Sequence, residues 1–246
     1  MNGIILAAGK GSRIFKDINK NKCLIEVSKK SLIARIIDIF KYCKFNKIFI
    51  LTGFNKKKIE KQIRKRKVKF IHNYKYYKTE MLETLILGLK NCNNDTIISY
   101  SDIIYDKKII LKLYNYKNRN KNILLPVLTN WKEIWKIKNK NIYNDAETLI
   151  YNNKNFLTEI GKKIKVIRDI KAQFMGIILI PKEKIKIVLK EFKNLKNKKI
   201  HLTKFLNILI KKKILIKFLK MNHHWYEFDD YEDVKNYIKK YNKNVS

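Results

Sequence analysis

Short apolar runs alternate with helical patterns through residues 3–100 of the chain. The run at 3–8 has no polar interruption, which is typical of a strand buried on both faces of a sheet. Further strands are predicted at 47–51, 69–72 and 96–100, and helices at 31–40, 56–65 and 81–89. Because strands and helices alternate, this half predicts an α/β fold with a parallel sheet and helices on both faces.

The second half of the chain has a more mixed pattern. It predicts strands at 123–128, 174–180 and 214–219, and helices at 182–193, 202–212 and 230–241. No repeat or long polar linker divides the chain, so we expect one domain over 1–246. In that domain the second half covers the sheet edge and shapes a binding pocket.

Composition excludes several classes of protein. Hydrophobic residues make up 46% of the 246 residues, too many for a disordered chain, and 7 Gly with 2 Pro exclude a collagen-like one. No apolar run approaches the roughly 18 residues that span a bilayer, and no secretory leader pattern opens the chain. Cys23, Cys43 and Cys92 are scattered, as in proteins of a reducing compartment. A cytoplasmic protein without membrane insertion is predicted.

The formal net charge of +36 has three interpretations. Only 6 of the 57 basic residues are Arg, the residue best suited to bidentate contacts with phosphate and guanine. Because Lys, Ile and Asn are also in excess, the composition of an AT-rich genome explains the charge better than a nucleic-acid-binding surface does. A field that attracts small anionic substrates is the third interpretation.

The loop after the first predicted strand has the composition of a phosphate-binding turn. Gly9 and Gly11 allow the backbone to approach a phosphate closely, and Arg13 adds a forked cation. The loop lacks the Gly-Lys-Ser/Thr ending of a P-loop and the third Gly of the dinucleotide fingerprint. A purely structural turn is the alternative.

Acidic residues follow two other apolar stretches. Asp102 comes after the strand at 96–100, and Glu227 and Asp229 alternate along a strand-like segment. Because ligands bind at the carboxyl ends of parallel strands, Asp102 and the glycine loop are expected at one edge, with the acidic residues able to hold Mg²⁺. The alternative for Asp102 is a helix cap or a turn residue, and the alternative for the second segment is capping of the last helix by Asp229 or Asp230. Lys22 by itself is indistinguishable from a surface lysine, and Trp131 and Trp135 are expected in the core.

Together these pieces resemble the nucleotidyltransferases of the sugar-nucleotide pyrophosphorylase type. The family opens with Leu-Ala-Ala-Gly-x-Gly-x-Arg and a later Lys, which residues 6–13 and Lys22 match at every fixed position. The resemblance implies a single Rossmann-like nucleotidyltransferase domain with a mostly parallel mixed sheet. Its N-terminal half would bind the nucleotide and its C-terminal half the acceptor.

A closer resemblance is to the phosphonate cytidylyltransferases associated with phosphoenolpyruvate mutase. It rests on residues 99–105 (Ser-Tyr-Ser-Asp-Ile-Ile-Tyr), 144–148 (Asn-Asp-Ala-Glu-Thr), 159–162, 172–176 and 225–229 (Trp-Tyr-Glu-Phe-Asp). Several positions depart from the family pattern: Asn21 stands for Pro, Glu80 for Asn, Thr84 for Ser, Ala172 for Gly and Phe174 for Tyr.

The resemblance implies transfer of CMP from CTP to a small phosphonate, most simply 2-aminoethylphosphonate, with Mg²⁺ as cofactor. The implied site residues are Lys22, Arg13 and Asp102 for catalysis; Leu6, Ala7, Ala8, Gly9, Gly11, Ser12, Arg13, Thr79, Thr84 and Ser101 for the nucleotide; Asp145, Glu147, Gln173 and Phe174 for the acceptor; Asp102 and Asp229 for Mg²⁺. A phosphocholine or phosphoethanolamine cytidylyltransferase is the alternative enzyme, and a basic nucleic-acid-binding protein is the alternative of another class. A functional link to a phosphoenolpyruvate mutase is also expected.

Overall fold

The structure is a computed structural model that describes residues 1–144 and 146–241. Its strands are β1 (Asn2–Ala7), β2 (Glu26–Val27), β3 (Lys30–Ser31), β4 (Lys47–Thr52), β5 (Lys69–His72), β6 (Thr96–Tyr100), β7 (Ile103–Tyr105), β8 (Ile123–Leu128), β9 (Glu147–Tyr151), β10 (Leu157–Lys163), β11 (Gln173–Phe174), β12 (Ile177–Ile180), β13 (Ile216–Met221) and β14 (Trp225–Glu227). Its helices are α1 (Ser12–Ile18), α2 (Leu32–Tyr42), α3 (Lys56–Ile63), α4 (Met81–Leu89), α5 (Lys107–Tyr114), α6 (Trp131–Lys138), α7 (Lys182–Lys193), α8 (Leu202–Lys211) and α9 (Tyr231–Tyr241).

An eight-stranded sheet forms the centre of the described part of the chain. Its order is β11-β8-β12-β6-β1-β4-β5, with β13 paired to β8. β1 pairs in parallel with β4 on one side and β6 on the other, whereas β12 runs antiparallel to β6 and β8. This arrangement confirms the predicted α/β fold with a mostly parallel mixed sheet.

Side chains of β1 alternate between two apolar cores. Ile5 packs into the core that α2 covers, and Ile4 and Leu6 pack into the core that α4 and α8 cover. All residues of the strand are buried because both faces are covered and both edges are paired. The continuous apolar run in the sequence therefore reports a central strand.

The strand predicted at 174–180 is wrong as a single element. It divides into β11 and β12, and Gly176 between them has a φ of 67°. A Cβ at Gly176 would lie 2.8 Å from Cδ2 of Tyr100, so the bend brings the backbone directly against that ring. The backbone N–H of Tyr100 donates to the Gly176 carbonyl over 2.9 Å.

The sequence pattern does not predict several short elements. They are helices α1, α5 and α6, the antiparallel pair β9–β10, and the pairing of β14 with β7. The last pairing carries residues 225–227 to the strand that follows Asp102, and so brings two distant acidic segments together. Within the described residues, no helix combines the length and apolarity that crossing a membrane requires.

Candidate active site

The glycine loop and Asp102 lie at the same edge of the sheet. Leu6 near the end of β1 is paired in parallel register with Tyr100 at the end of β6. The loop that follows β1 and the Ser101-Asp102 segment that follows β6 are therefore neighbours, as the sequence predicts. Leu6, Ala7, Ala8 and Ser101 are themselves buried at this edge.

Gly11 makes room for Lys22. Its φ is 62°, in the left-handed region that favours glycine, and α1 begins at the next residue. A Cβ at Gly11 would lie 2.5 Å from Cγ of Lys22. By contrast, no atom lies within 4 Å of a Cβ built at Gly9, so the loop backbone is open at that position. The glycine loop thus packs against the stem of the lysine that the family signature includes.

Lys22 lies between two aspartates. Its Nζ donates to Oδ2 of Asp102 over 3.3 Å and is 3.7 Å from Oδ1 of Asp229. The three side chains are 16–17% exposed, so this cluster is accessible from one side. Arg13 joins it, with Nη2 3.8 Å from Oδ1 of Asp229. Four residues that the sequence singles out therefore meet in one place.

Burial and neighbouring charges oppose one another in this cluster. Burial alone would lower the pKa of Lys22, but Asp102 and Asp229 outweigh it and raise that pKa above its ordinary value. Burial alone would raise the pKa of Asp229, but Lys138 and Lys22 outweigh it and hold that pKa low. The pKa of Glu227 is raised, first by burial and then by the charge of Asp229. Lys22 is thus a cation and Asp229 an anion at neutral pH.

Helix capping does not account for the two aspartates. Asp106 caps α5 by accepting from the backbone N–H of Lys108 over 2.8 Å. Asp230 precedes α9 and accepts from the backbone N–H of Asp233 over 3.1 Å. Because neighbouring residues take the capping positions, Asp102 and Asp229 are left to face Lys22.

A cavity of about 310 Å³ opens beside this cluster. Arg13, Glu227 and Asp229 line one part of it, together with Glu147, Gln173 and Phe174 from the predicted acceptor set. Oγ1 of Thr203 donates to Oε1 of Glu147 over 3.1 Å, and Nε1 of Trp135 donates to Oε1 of Gln173 over 3.3 Å. Three of the four predicted acceptor residues are therefore brought together. The fourth, Asp145, lies outside the described residues.

Two predicted nucleotide residues make a local contact instead of lining this cavity. Nδ2 of Asn73 donates to Oγ1 of Thr79 over 2.9 Å and to Oγ1 of Thr84 over 3.0 Å. Thr84 is only 4% exposed, and its hydrogen bond with Asn73 holds the segment that precedes α4 in place. The nucleotide contacts assigned to both threonines stay predictions.

Trp135 differs from its expected place in the core. Trp131 is buried as predicted, whereas Trp135 is partly buried and lines the cavity. Both lie on α6, whose inner face also carries Ile134 and Lys138. The helix therefore contributes an aromatic wall to the site as well as a core contact.

Sequence reasoning assigned no site role to Lys138, or to Thr203, which it noted only as part of the family resemblance. Lys138 Nζ lies 2.6 Å from Oδ2 of Asp229, and its side chain is 6% exposed. The available signal was a lysine four residues after Ile134 and seven after Trp131, which places it on the apolar face of a helix. Thr203 packs against Gly161, where a Cβ would lie 2.7 Å from Cβ of Thr203. That close packing of β10 on α8 places the hydroxyl beside Glu147.

The aspartates at Lys22 have suitable chemistry for Mg²⁺. This ion prefers hard oxygen donors and in nucleotide enzymes takes one or two carboxylates, with waters and substrate phosphates completing its shell. Asp102 and Asp229 supply two carboxylates, at 3.3 Å and 3.7 Å from Nζ of Lys22. Among residues 1–144 and 146–241, no three His, Cys, Asp or Glu side chains form a group that could hold a metal by themselves. The donor set therefore fits an ion that is shared with a phosphate ligand.

The sequence of the chain is similar to those of known nucleotidyltransferases. A model of the MobA-like NTP transferase domain matches residues 3–152. The CTP:phosphoglutamine cytidylyltransferase of Campylobacter jejuni subsp. jejuni serotype O:2 is 31% identical over 261 residues, covering 98% of this chain and 100% of that protein.

Solved structures share the fold over nearly all of the chain. A putative glucose-1-phosphate thymidylyltransferase from Bacillus anthracis has a TM-score of 0.80 at 18% identity, covering 100% of this chain and 96% of that one. The inositol-1-phosphate CTP transferase of T. maritima has a TM-score of 0.76 at 15% identity, covering 100% and 97%. The CTP:phosphocholine cytidylyltransferase of Streptococcus pneumoniae has a TM-score of 0.74 at 18% identity, covering 97% and 98%.

Proposed function

The chain belongs to the family of MobA-like NTP transferase domains and is a nucleotidyltransferase, and on that premise we propose that it transfers CMP from CTP to a small acceptor with release of pyrophosphate. The observation that carries the proposal is Lys22, held between Asp102 and Asp229 beside the glycine loop. The choice of CTP is supported by the cytidylyltransferase activity of a relative that aligns over almost the whole chain.

The proposed reaction joins two polyanions. An anionic oxygen of the acceptor's phosphate or phosphonate attacks the α-phosphorus of CTP and forms the new P–O bond. The bond from the α-phosphorus to the oxygen bridging to the β-phosphate breaks, and pyrophosphate leaves with that electron pair. Because the attacking oxygen is already anionic, no general base is required, and charge neutralisation with positioning dominates catalysis.

We assign a role to each charged residue from its position in the cluster around Lys22. Lys22 neutralises charge at the α-phosphate and the incoming oxygen, and Arg13 with the backbone of residues 9–12 binds the triphosphate. Asp102 and Asp229 are the residues that would hold Mg²⁺, which supplies Lewis-acid stabilisation of phosphate charge when it is bound. The family generally works with a divalent metal, and the oxygen donors present fit that requirement.

The acceptor proposed here has a phosphoryl group at one end and an ammonium group at the other. Glu147 places a carboxylate on the cavity wall, while Trp135 and Phe174 supply aromatic faces. Both kinds of group favour a bound ammonium. 2-Aminoethylphosphonate meets this description, and so does phosphoglutamine, the substrate named for the Campylobacter relative. The link to a phosphoenolpyruvate mutase and the cytoplasmic location stay predictions.

Phosphocholine and phosphoethanolamine are the other candidate acceptors. Their support is the fold shared with the pneumococcal phosphocholine enzyme. They have the same two ends as the proposed acceptors, so the chemistry at Lys22 would be unchanged. In an assay, the trimethylammonium group distinguishes phosphocholine from the other acceptors, and the P–O–C linkage distinguishes phosphoethanolamine from 2-aminoethylphosphonate.

Pyrophosphate release tests the proposal. CTP, UTP, ATP and GTP are each combined with 2-aminoethylphosphonate, phosphoglutamine, phosphocholine or phosphoethanolamine in the presence of Mg²⁺. We expect release only with CTP, and fastest with 2-aminoethylphosphonate or phosphoglutamine. Asp102→Asn should lower the rate by a factor on the order of 100 or more, whereas Asp106→Asn, at the cap of α5, should retain turnover.

Other outcomes have defined meanings. Release with another nucleotide contradicts the CTP assignment, and release only with phosphocholine moves the acceptor to the alternative. No release with any pair contradicts the proposed function. Salt-sensitive binding of polyanions that Asp102→Asn leaves intact, without turnover, would favour the nucleic-acid hypothesis instead.

A further inference from the structure

Lys138 is a buried cation on the inner face of α6. It ends the helix, and its side chain is 6% exposed, alongside the buried side chains of Trp131 and Ile134. Its backbone carbonyl accepts from Nδ2 of Asn236 over 3.2 Å, which ties the end of α6 to α9. A lysine so deeply buried requires anionic partners, because removing an unpaired charge from water is costly.

The partners of Lys138 are two aspartates at the start of α9. Its Nζ donates to Oδ2 of Asp229 over 2.6 Å and lies 3.6 Å from Oδ2 of Asp233. Oδ2 of Asp233 in turn accepts from the backbone N–H of Asp229 over 2.7 Å. The main chain and one carboxylate oxygen of Asp229 are thus both held by this cluster.

The other oxygen of Asp229 faces the reaction centre. Oδ1 is 3.7 Å from Nζ of Lys22 and 3.8 Å from Nη2 of Arg13. The two oxygens of one carboxylate therefore have separate partners. Rotation of the carboxylate plane would break the short contact with Lys138, so the contact fixes the orientation in which the other oxygen faces Lys22.

We propose that Lys138 is a positioning residue for nucleotidyl transfer, which holds Asp229 through Oδ2 and keeps Oδ1 turned towards Lys22. The inference rests on the proposed function and adds to it a residue outside the family signature. Lys138 acts through Asp229 rather than on the substrate, because its ammonium is already paired with two carboxylates. Its removal affects the rate of transfer more than the binding of either substrate.

The first test compares Lys138→Met with Lys136→Met in the full chain. Lys136 is exposed on the same helix and provides a matched loss of one charge. Lys138→Met is expected to lower kcat on the order of 10- to 100-fold, with little change in the KM for CTP or the acceptor. Lys138→Arg should recover part of the loss. Lys136→Met should keep the original kcat. Equal kcat values for the two methionine variants would overturn the inference.

A double-mutant cycle separates positioning from direct contact. In the Asp229→Asn background, Lys138→Met should cause little further loss, because the residue it positions has already been altered. If Lys138→Met lowers kcat in this background by the same factor as in the original chain, and also raises the KM for the acceptor, Lys138 contacts the substrate. That result would overturn the inference. Lys138→Gln, which keeps a hydrogen-bond donor, replaces Lys138→Met in the cycle if the methionine variant does not fold.

Crystal structures of the original chain and of Lys138→Met provide a readout that needs no turnover. In the variant, Oδ1 of Asp229 should leave its position 3.7 Å from Nζ of Lys22. An unchanged carboxylate would contradict the inference even if the chain released no pyrophosphate. Failure of the proposed function, seen in the original chain, is therefore distinguishable from failure of this inference.

Discussion

Glu227 and Asp229 lie two residues apart and have pKa values shifted in opposite directions. Burial raises the pKa of Glu227, and the negative charge of Asp229 adds to that effect. Lys138 and Lys22 act on both carboxylates, but only at Asp229, where Lys138 also donates a hydrogen bond, do they overcome burial and lower the pKa. At the residue scale, the placement of two lysines therefore decides which carboxylate carries the charge.

The raised pKa of Glu227 predicts a pH-dependent stability. The folded chain retains a proton on Glu227 above its ordinary pKa of 4.5, where the unfolded chain releases it. The unfolded state then binds fewer protons, so this residue makes the free energy of unfolding fall as pH rises above that value. Asp229 has the opposite sign, because its stabilising effect is present above its ordinary pKa of 3.8 and is lost as pH falls below it.

Glu227→Gln should remove the decrease in the free energy of unfolding that Glu227 causes as pH rises. We expect the variant to lose less free energy of unfolding than the original chain between about pH 5 and pH 8. Urea unfolding at several pH values measures this difference. Glu232→Gln, at an exposed position on α9, should follow the original chain. A Glu227→Gln variant with the original slope would contradict the buried, protonated state of Glu227.

At the element scale, the segment that leads into Lys22 has a backbone conformation that is compatible with the proline of the resembled family pattern. Asn21, where the family has Pro, has a φ of −63°, which a proline would also adopt. Its side chain is buried, donates to the Phe54 carbonyl over 3.0 Å and accepts from Nδ2 of Asn55 over 3.1 Å. The asparagine therefore ties the Lys22 turn to the loop after β4, which a proline ring cannot do.

Gly11→Ala tests the packing between the glycine loop and the Lys22 turn. The left-handed φ costs a non-glycine residue about 1–2 kcal/mol, and the added Cβ would press on the stem of Lys22. We expect a loss of stability of that order in urea unfolding, together with a lower rate of pyrophosphate release. Gly9→Ala is the control for stability, because its Cβ would have no neighbour within 4 Å. A Gly11→Ala variant with unchanged stability and rate would contradict this account.

At the scale of the whole molecule, the net charge of +36 gives the protein a positive field, and the proposed site takes two anionic substrates. Such a field concentrates anions near the protein and increases their rate of encounter, and salt screens it. The charge therefore increases the rate at which a nucleotidyltransferase meets its anionic nucleotide, even if the charge results from the composition of an AT-rich genome.

Salt dependence of the KM for CTP tests that consequence. Raising the salt concentration from about 50 to about 200 mM should increase the KM while kcat changes little, since screening acts on encounter. Initial rates at fixed Mg²⁺ measure the effect, with sucrose at equal osmolality as the control. A KM that is independent of salt would show that the surface charge does not assist binding.

The sequence by itself determined the central strands and much of the candidate site. β1, β4 and β6 are recognisable because a strand buried on both faces needs a continuous apolar run. The edge shared by the glycine loop and Asp102 follows from their parallel order. Arg13 and Lys22 were found through a motif that is contiguous or nearly so, and the structure brings both to Asp229.

Only the tertiary structure decided the contact between Lys138 and Asp229, which lie 91 residues apart. It also decided the bend at Gly176, the β14–β7 pairing and the position of Thr203 beside Glu147. Periodicity reports which face of a segment is buried, but it carries no information on which distant segment covers that face. A buried lysine and its carboxylate are selected by charge compensation in the packed interior, and that compensation exists only after the chain has folded.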